Sequence, residues 1–138
     1  MKTIKCDISE VTLIDTNVLF IDIEKEKDFE MKDFDQLKDA AGKRGNGIKF
    51  YNIVNVGDLT TPSADAQQAS CSEEGSVYKY ADAFVINSLA QKILANIYMK
   101  INKPVVPTRF FNNLDAAKLW IAELRCEIEY DNLAYEPC

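Results

Sequence analysis

Apolar positions in this chain fall into short β-type runs and helical stripes that alternate from end to end. Thr3-Ile4 and Val11–Ile14 have strand character, with Ser9-Glu10 as a break between them. Asp15-Thr16-Asn17 reads as a tight turn into Val18–Ile23, so the opening predicts an antiparallel hairpin. The charge run Glu24–Asp28 reads as a solvated loop. Phe29, Phe34, Leu37 and Ala41 then recur at helical spacing. Met31 and Ala40 broaden that stripe, while Lys32, Asp33, Asp35, Lys38 and Asp39 fill the other face. Gly42, Gly45 and Gly47 are the expected stop. Ile48–Val56 is apolar on both parities, the mark of a strand covered on both faces.

Gly57–Thr60 reads as a turn, and Thr61-Pro62 as a helix start with Thr61 as cap and Pro62 in the first turn. A weakly amphipathic helix through Ala64–Ala69 is expected to fray near Ser72–Gly75. Tyr80–Ile86 predicts another strand. Ser88 and Gln91 form a capping box for a helix whose residues Leu89, Ile93, Ile97 and Ile101 share one stripe, beside Leu94 and Tyr98. Asn102-Lys103-Pro104 ends it. Val105-Val106 starts a strand that Pro107 confines to a sheet edge. Asn112 or Asn113 caps a last helix that turns Leu114, Ala117, Trp120, Ile121 and Leu124 inward. Residues 126–138 read as a C-terminal arm or short strand with apolar anchors among acids, ending in an exposed, oxidisable Cys138. No repeat or linker divides the chain, so residues 1–125 are expected to form one domain.

A hairpin followed by strand-helix alternation is the pattern of parallel βαβ units. The expected fold is α/β, a mixed sheet of about five strands with about four helices. In such folds function gathers in the loops after the parallel strands, here Gly57–Ser63, Asn87-Ser88 and Arg109–Asn113.

Composition narrows the chemistry. At 138 residues, 47% apolar and 28% charged, the chain has ordinary globular values and length for its own core. Its net charge of −6 argues against nucleic acid and anionic membrane surfaces as partners. It contains no histidine, which removes Ser-His-Asp and Cys-His nucleophiles and His-ligated zinc. Four cysteines without a C-x-x-C spacing support neither a metal ribbon nor a redox pair, and reduced thiols in a cytoplasmic protein are expected. No apolar run is long enough to span a bilayer, and the N-terminus has no signal-peptide pattern. No cofactor or metal is expected.

The segment Ala81–Ser88, with Asn96–Pro104 after it, resembles the small bacterial SpoIIAA-like proteins of the STAS superfamily. Pro107–Phe111, Ala116-Ala117 and Leu119-Trp120-Ile121 continue the resemblance, which is most specific over residues 80–124 and points to an uncharacterised Bacteroidetes-type branch. It implies a STAS/SpoIIAA-like fold and a bacterial, cytoplasmic protein, with no activity attached. Signalling members of that superfamily are phosphorylated on a serine in a D-S-S-G-like turn. The matching turn holds Asp58, Thr60, Thr61 and Ser63 without that sequence. Phosphate there would meet a helix N-terminus. Helix initiation alone also accounts for Thr61-Pro62-Ser63.

Other constellations are weaker. Asp22 and Asp82 stand in otherwise apolar strands, where an acid serves as a general acid or base or pairs with a neighbouring lysine. Gly42–Gly47 lacks the phosphate-loop pattern and follows a helix, so it reads as a connector. Asn87, Ser88 and Arg109 are candidates for a pocket or anion spot. The leading expectation is a non-enzymatic regulatory module that binds a protein partner or a second copy, with no deep pocket and a self-complementary apolar patch. The alternative, implied by the likeness of the SpoIIAA-like class to CRAL-TRIO lipid-binding domains, is a carrier of a small apolar, lipid-like ligand, which needs a cavity of roughly 300 Å³ or more between sheet and helices. A phosphorylation-switched anti-anti-sigma-type regulator comes next. An enzyme would bring Asp58, Asp82 or Arg109 together in a cleft.

Overall fold

The computed structural model describes residues 3–134, with side chains through residue 130. Its strands are β1 (Thr3–Lys5), β2 (Ser9–Asp15), β3 (Val18–Ile23), β4 (Asp28–Phe29), β5 (Phe50–Val56), β6 (Thr61–Pro62), β7 (Lys79–Val85) and β8 (Thr108–Phe111). Its helices are α1 (Met31–Gly45), α2 (Ala64–Cys71), α3 (Leu89–Ile101) and α4 (Leu114–Ala134).

The main sheet has six strands in the order β1-β2-β3-β5-β7-β8, antiparallel through β3 and parallel from there on. The expected hairpin is β2-β3. The count exceeds the expected five because Thr3–Lys5 pairs with Glu10–Thr12, so the break falls at Cys6–Ile8 instead of Ser9-Glu10. The charge run at 24–28 ends in β4, which pairs with β6 as a separate two-stranded ribbon.

Each parallel strand is added on the same side of the last. Crossovers of one hand that keep stepping one way leave their helices on one face, so α1, α2 and α3 lie together and α4 covers the opposite face. Strand alternation divides the side chains accordingly. Tyr51, Ile53, Ala81, Ala83 and Val85 meet α4 at Ala117 and Ile121, while Phe50 and Val54 meet α1 and α2. Ala81, Ala83 and Ala117 are each 0% exposed. Three methyl-sized side chains at one contact let the helix backbone approach the sheet closely.

Several local expectations are corrected. Gly42 and Gly45 lie within α1, which ends at Asn46 in the left-handed conformation (φ 49°). Thr61 does not cap α2. Thr61-Pro62 forms β6, and the Ser63 hydroxyl accepts from the Ala66 N–H instead. Ser88 caps α3 by accepting from the Gln91 N–H, but the Gln91 side chain does not close the box onto its own cap. Its Oε1 accepts from the Asn87 N–H, and its Nε2 donates to the Val56 and Gly57 carbonyls. The last strand begins after Pro107, not at Val105. Asn113 caps α4, its Oδ1 accepting from the Ala116 N–H. Residues 126–134 are not an arm or strand but the last turns of α4, because Ile128 continues the stripe of Ile121 and Leu124 against the sheet. The expectation for Cys138 lies outside the described residues.

Candidate functional site

Beneath α1, α2 and α3 the sheet presents Asn52 and Val54 of β5, Asp82 and Phe84 of β7, and Phe110 of β8. The helices do not fill the space above them. A cavity of about 230 Å³ remains, walled mainly by apolar side chains such as Ile21, Ile23, Phe34, Leu37, Val54 and Phe84. The gap follows from what α3 turns inward. Its fully buried residues are Gln91, whose side chain goes to the Val56 and Gly57 carbonyls at the end of β5, and the methyl-sized Ala95.

The cavity floor is polar at one end. Asp82, 3% exposed, accepts from Lys79 Nζ at 2.7 Å on one carboxylate oxygen and from Asn52 Nδ2 at 3.0 Å on the other. The remaining Lys79 donors go to the Ser70 carbonyl (2.8 Å) and hydroxyl (3.2 Å), near the C-terminus of α2, where a cation is favoured. Both charges of the cluster are matched, as a buried ion pair requires, while the Asn52 Oδ1 beside them is buried without a hydrogen-bond partner among the described residues. Of the two strand acids, Asp82 thus pairs with a lysine, while Asp22 is exposed and accepts from Asn55 Nδ2.

A third charged side chain lines the cavity. Lys38 sits half-buried at its edge on α1 and has neither a hydrogen bond nor an ion pair among the described residues. The α1 pattern placed it on the solvated face together with Asp33. Asp33 is buried as well, because its Oδ2 accepts from the Glu30 N–H at the start of the helix.

The near wall of α3 is fastened to α2 by Cys71, whose thiol donates to the Tyr98 hydroxyl oxygen at 2.9 Å. Burial pushes the Cys71 thiol up, partly offset by that contact, and burial together with Cys71 holds the Tyr98 hydroxyl far above the ordinary phenol range. Tyr98 also stands edge-on to Phe84 and Phe110. The outer side of α3 is open. Leu89 and Ile101 are each 74% exposed and Ile93 is exposed too, while Leu94 and Ile97 are exposed residues that also line the cavity. The charged residues of segment 83–114 are Lys92, Lys100, Lys103 and Arg109, with no acid among them.

The residues singled out from sequence do not gather into one site. Thr60 is 4% exposed and its hydroxyl is committed, donating to the Glu24 carbonyl and accepting from the Lys27 N–H. It pins loop 57–60 to loop 24–27. Asp58 Oδ1 accepts from the Leu59 N–H in the exposed turn, Thr61 is exposed on β6, and the Ser63 hydroxyl donates to Asp65 while capping α2. Asn87 and Ser88 belong to the entry of α3. Arg109 is not beside them, because strand alternation turns it to the α4 face. There its guanidinium lies over Phe111 (5.3 Å) and Trp120 (5.7 Å). Asp58, Asp82 and Arg109 therefore do not share a cleft. Sequence reasoning missed Lys38, Lys79, Asn52 and the Cys71–Tyr98 contact. Cys6, Cys71 and Cys126 are free thiols. Among the described residues no cluster of acids and cysteines could hold a metal ion, and no helix is long and apolar enough to cross a membrane.

The family model described as a domain of unknown function, DUF7793, matches residues 12–125, whereas α4 runs on to Ala134. No curated protein matches the chain. Among solved structures it is similar to an uncharacterized protein of the DUF3478 family with a SpoIIAA-like fold, from Shewanella loihica PV-4. The TM-score is 0.53 at 13% identity, over 81% of this chain and 90% of that one. At such identity the likeness concerns the fold alone. The fold is SpoIIAA-like, as the motifs of residues 80–124 implied.

Proposed function

The chain belongs to the DUF7793 family, whose description assigns no role, and from its geometry we propose that it is a small-ligand-binding module that holds an apolar molecule between the sheet and α1–α3. The observation that carries this reading is the apolar cavity of about 230 Å³. It is smaller than the roughly 300 Å³ expected of a carrier, yet larger than the ~150 Å³ of an apolar cavity known to take benzene. We read the site as binding and not catalysis, because both oxygens of Asp82, the carboxylate that lines it among the described residues, are engaged by Lys79 and Asn52. Calorimetric titration of the full chain with 1-hexanol and 1-octanol tests the reading. A saturable one-to-one isotherm that Ala95→Leu weakens, in a variant with unchanged circular dichroism, supports it. Absence of saturable binding rejects it.

A second reading rests on the exposed apolar stripe of α3. Flanked by lysines in a chain of net charge −6, that stripe suits self-association against an acidic surface of a second copy. Sedimentation velocity decides: a dimer that Ile93→Lys converts to monomer supports it, and a monomer at all concentrations rejects it.

A further inference from the structure

Among the described residues, the charged side chains that line the cavity are Lys38, Lys79 and Asp82. They leave an excess of one positive charge there, although the chain as a whole is acidic. Lys79 and Asp82 have no capacity to spare. The ammonium spends its donors on Asp82 and on Ser70, and both carboxylate oxygens already accept. Asn52 Oδ1 is buried without a partner among the described residues, but as an acceptor it offers nothing to an anion, and three other polar lining groups are committed. Gln67 Nε2 donates to the Pro62 carbonyl, Gln91 spans Asn87 and the Val56–Gly57 carbonyls, and the Thr60 hydroxyl is shared between two backbone groups. Lys38 is left as the charged lining group without a partner among the described residues, at the edge where apolar wall gives way to solvent. The acids nearest it in sequence, Asp35 and Asp39, are exposed and make no ion pair with it.

An apolar chamber with one unpaired cation at its rim selects by charge as well as by greasiness. We propose that the cavity takes an amphipathic monoanion, a short- to medium-chain alkyl carboxylate, with its tail against Ile21, Val54 and Phe84 and its head group on the Lys38 ammonium. At about 230 Å³ the cavity exceeds the ~150 Å³ of an apolar cavity that takes benzene, which leaves room for an octanoate tail with its carboxylate at the rim. The paired floor cannot exchange partners for the head group without leaving one of its own charges buried and unmatched, so the carboxylate stays at the Lys38 end.

This assignment rests on the cavity being a ligand site, and the test separates the two. The full chain is titrated calorimetrically at neutral pH with octanoate, 1-octanol and octylammonium, which share a tail and differ in head group. Octanoate binds at least about fivefold tighter than 1-octanol, and octylammonium binds weakest. K38Q weakens octanoate about fivefold and leaves 1-octanol within twofold. K38R restores octanoate, and K38E reverses the order of octanoate and octylammonium. Lys38 is half-buried and unpartnered, so these variants keep the fold, and 1-octanol serves as an internal check on the cavity in each. If 1-octanol binds but octanoate gains nothing, or if K38Q leaves octanoate unchanged, the head-group assignment is overturned while the cavity reading stands. If none of the three binds, both are overturned.

Discussion

The two faces of the sheet are closed by different means. On one, α4 lays Ala117 and Ile121 onto Ala81, Ala83, Tyr51 and Ile53, and the small side chains at that contact are fully buried. On the other, three helices share the work, and the sheet offers them Asn52, Asp82 and the large ring of Phe84. A polar pair in the floor holds its surroundings at hydrogen-bonding distances, and the fully buried residues of α3 are only Gln91 and Ala95, with Tyr98 reaching Phe84 and Phe110 beside them. Packing completeness in this fold is therefore set by which side chains occupy two parities of β5 and β7. The strands that carry both faces are the same.

The contrast can be broken most severely at the floor. Asp82→Ala leaves the Lys79 ammonium buried without its carboxylate, and equilibrium urea unfolding should show a loss of about 3–5 kcal/mol. A matched pair of substitutions sharpens the comparison between faces. Ile121→Ala under α4 should cost about 2–5 kcal/mol, while Ile93→Ala on the open side of α3 should stay within about 0.5 kcal/mol. Equal losses in the two would mean that α3 is packed as tightly as α4. Gly75 borders the cavity where any Cβ would stand 1.9 Å from the Ala69 carbonyl oxygen. Gly75→Ala should therefore displace the end of α2 and cost about 1–3 kcal/mol in the same assay.

The smallest effect is a matter of pH. In the unfolded chain Tyr98 would ionise near pH 10, but in the folded protein its burial holds the proton on well beyond that. A raised phenol pKa gives stability that is complete below the unfolded value and declines as pH rises above it. Thermal midpoints should fall above about pH 10, and Tyr98→Phe should flatten that fall relative to its own neutral-pH midpoint. An unchanged alkaline slope in the variant would place the titration elsewhere, for instance at Tyr51, which is also raised, chiefly by burial.

How much of this was legible in the sequence depends on what each residue needs from its neighbours. Element identities and the α/β order follow from periodicity, which is local. The Lys79–Asp82 pair does not, since residues three apart on a regular strand face opposite ways. A register shift, with Phe50 opposite Lys79 and Tyr51 opposite Ala81, inserts Tyr80 and turns Lys79 onto the face of Asp82. That irregularity leaves no mark in residue spacing. Arg109 misled for the complementary reason. Its loop position suggested a shared spot with Asn87 and Ser88, whereas simple alternation places it under α4. Lys38 was assigned to solvent because a helical wheel shows which residues share a face, not where the next helix stops covering it. The apolar stripe of α3 is legible as a stripe, but its exposure is not.

The chain has one tryptophan, and it is on the α4 face. Trp120 packs against Phe111 and beneath the Arg109 guanidinium, with the whole thickness of the sheet between it and the cavity. Its intrinsic fluorescence is accordingly a gauge of the integrity of the tightly packed layer and is blind to events in the hollow one. Optical assays of cavity occupancy must take their signal from the tyrosines at its wall, Tyr78 and Tyr98.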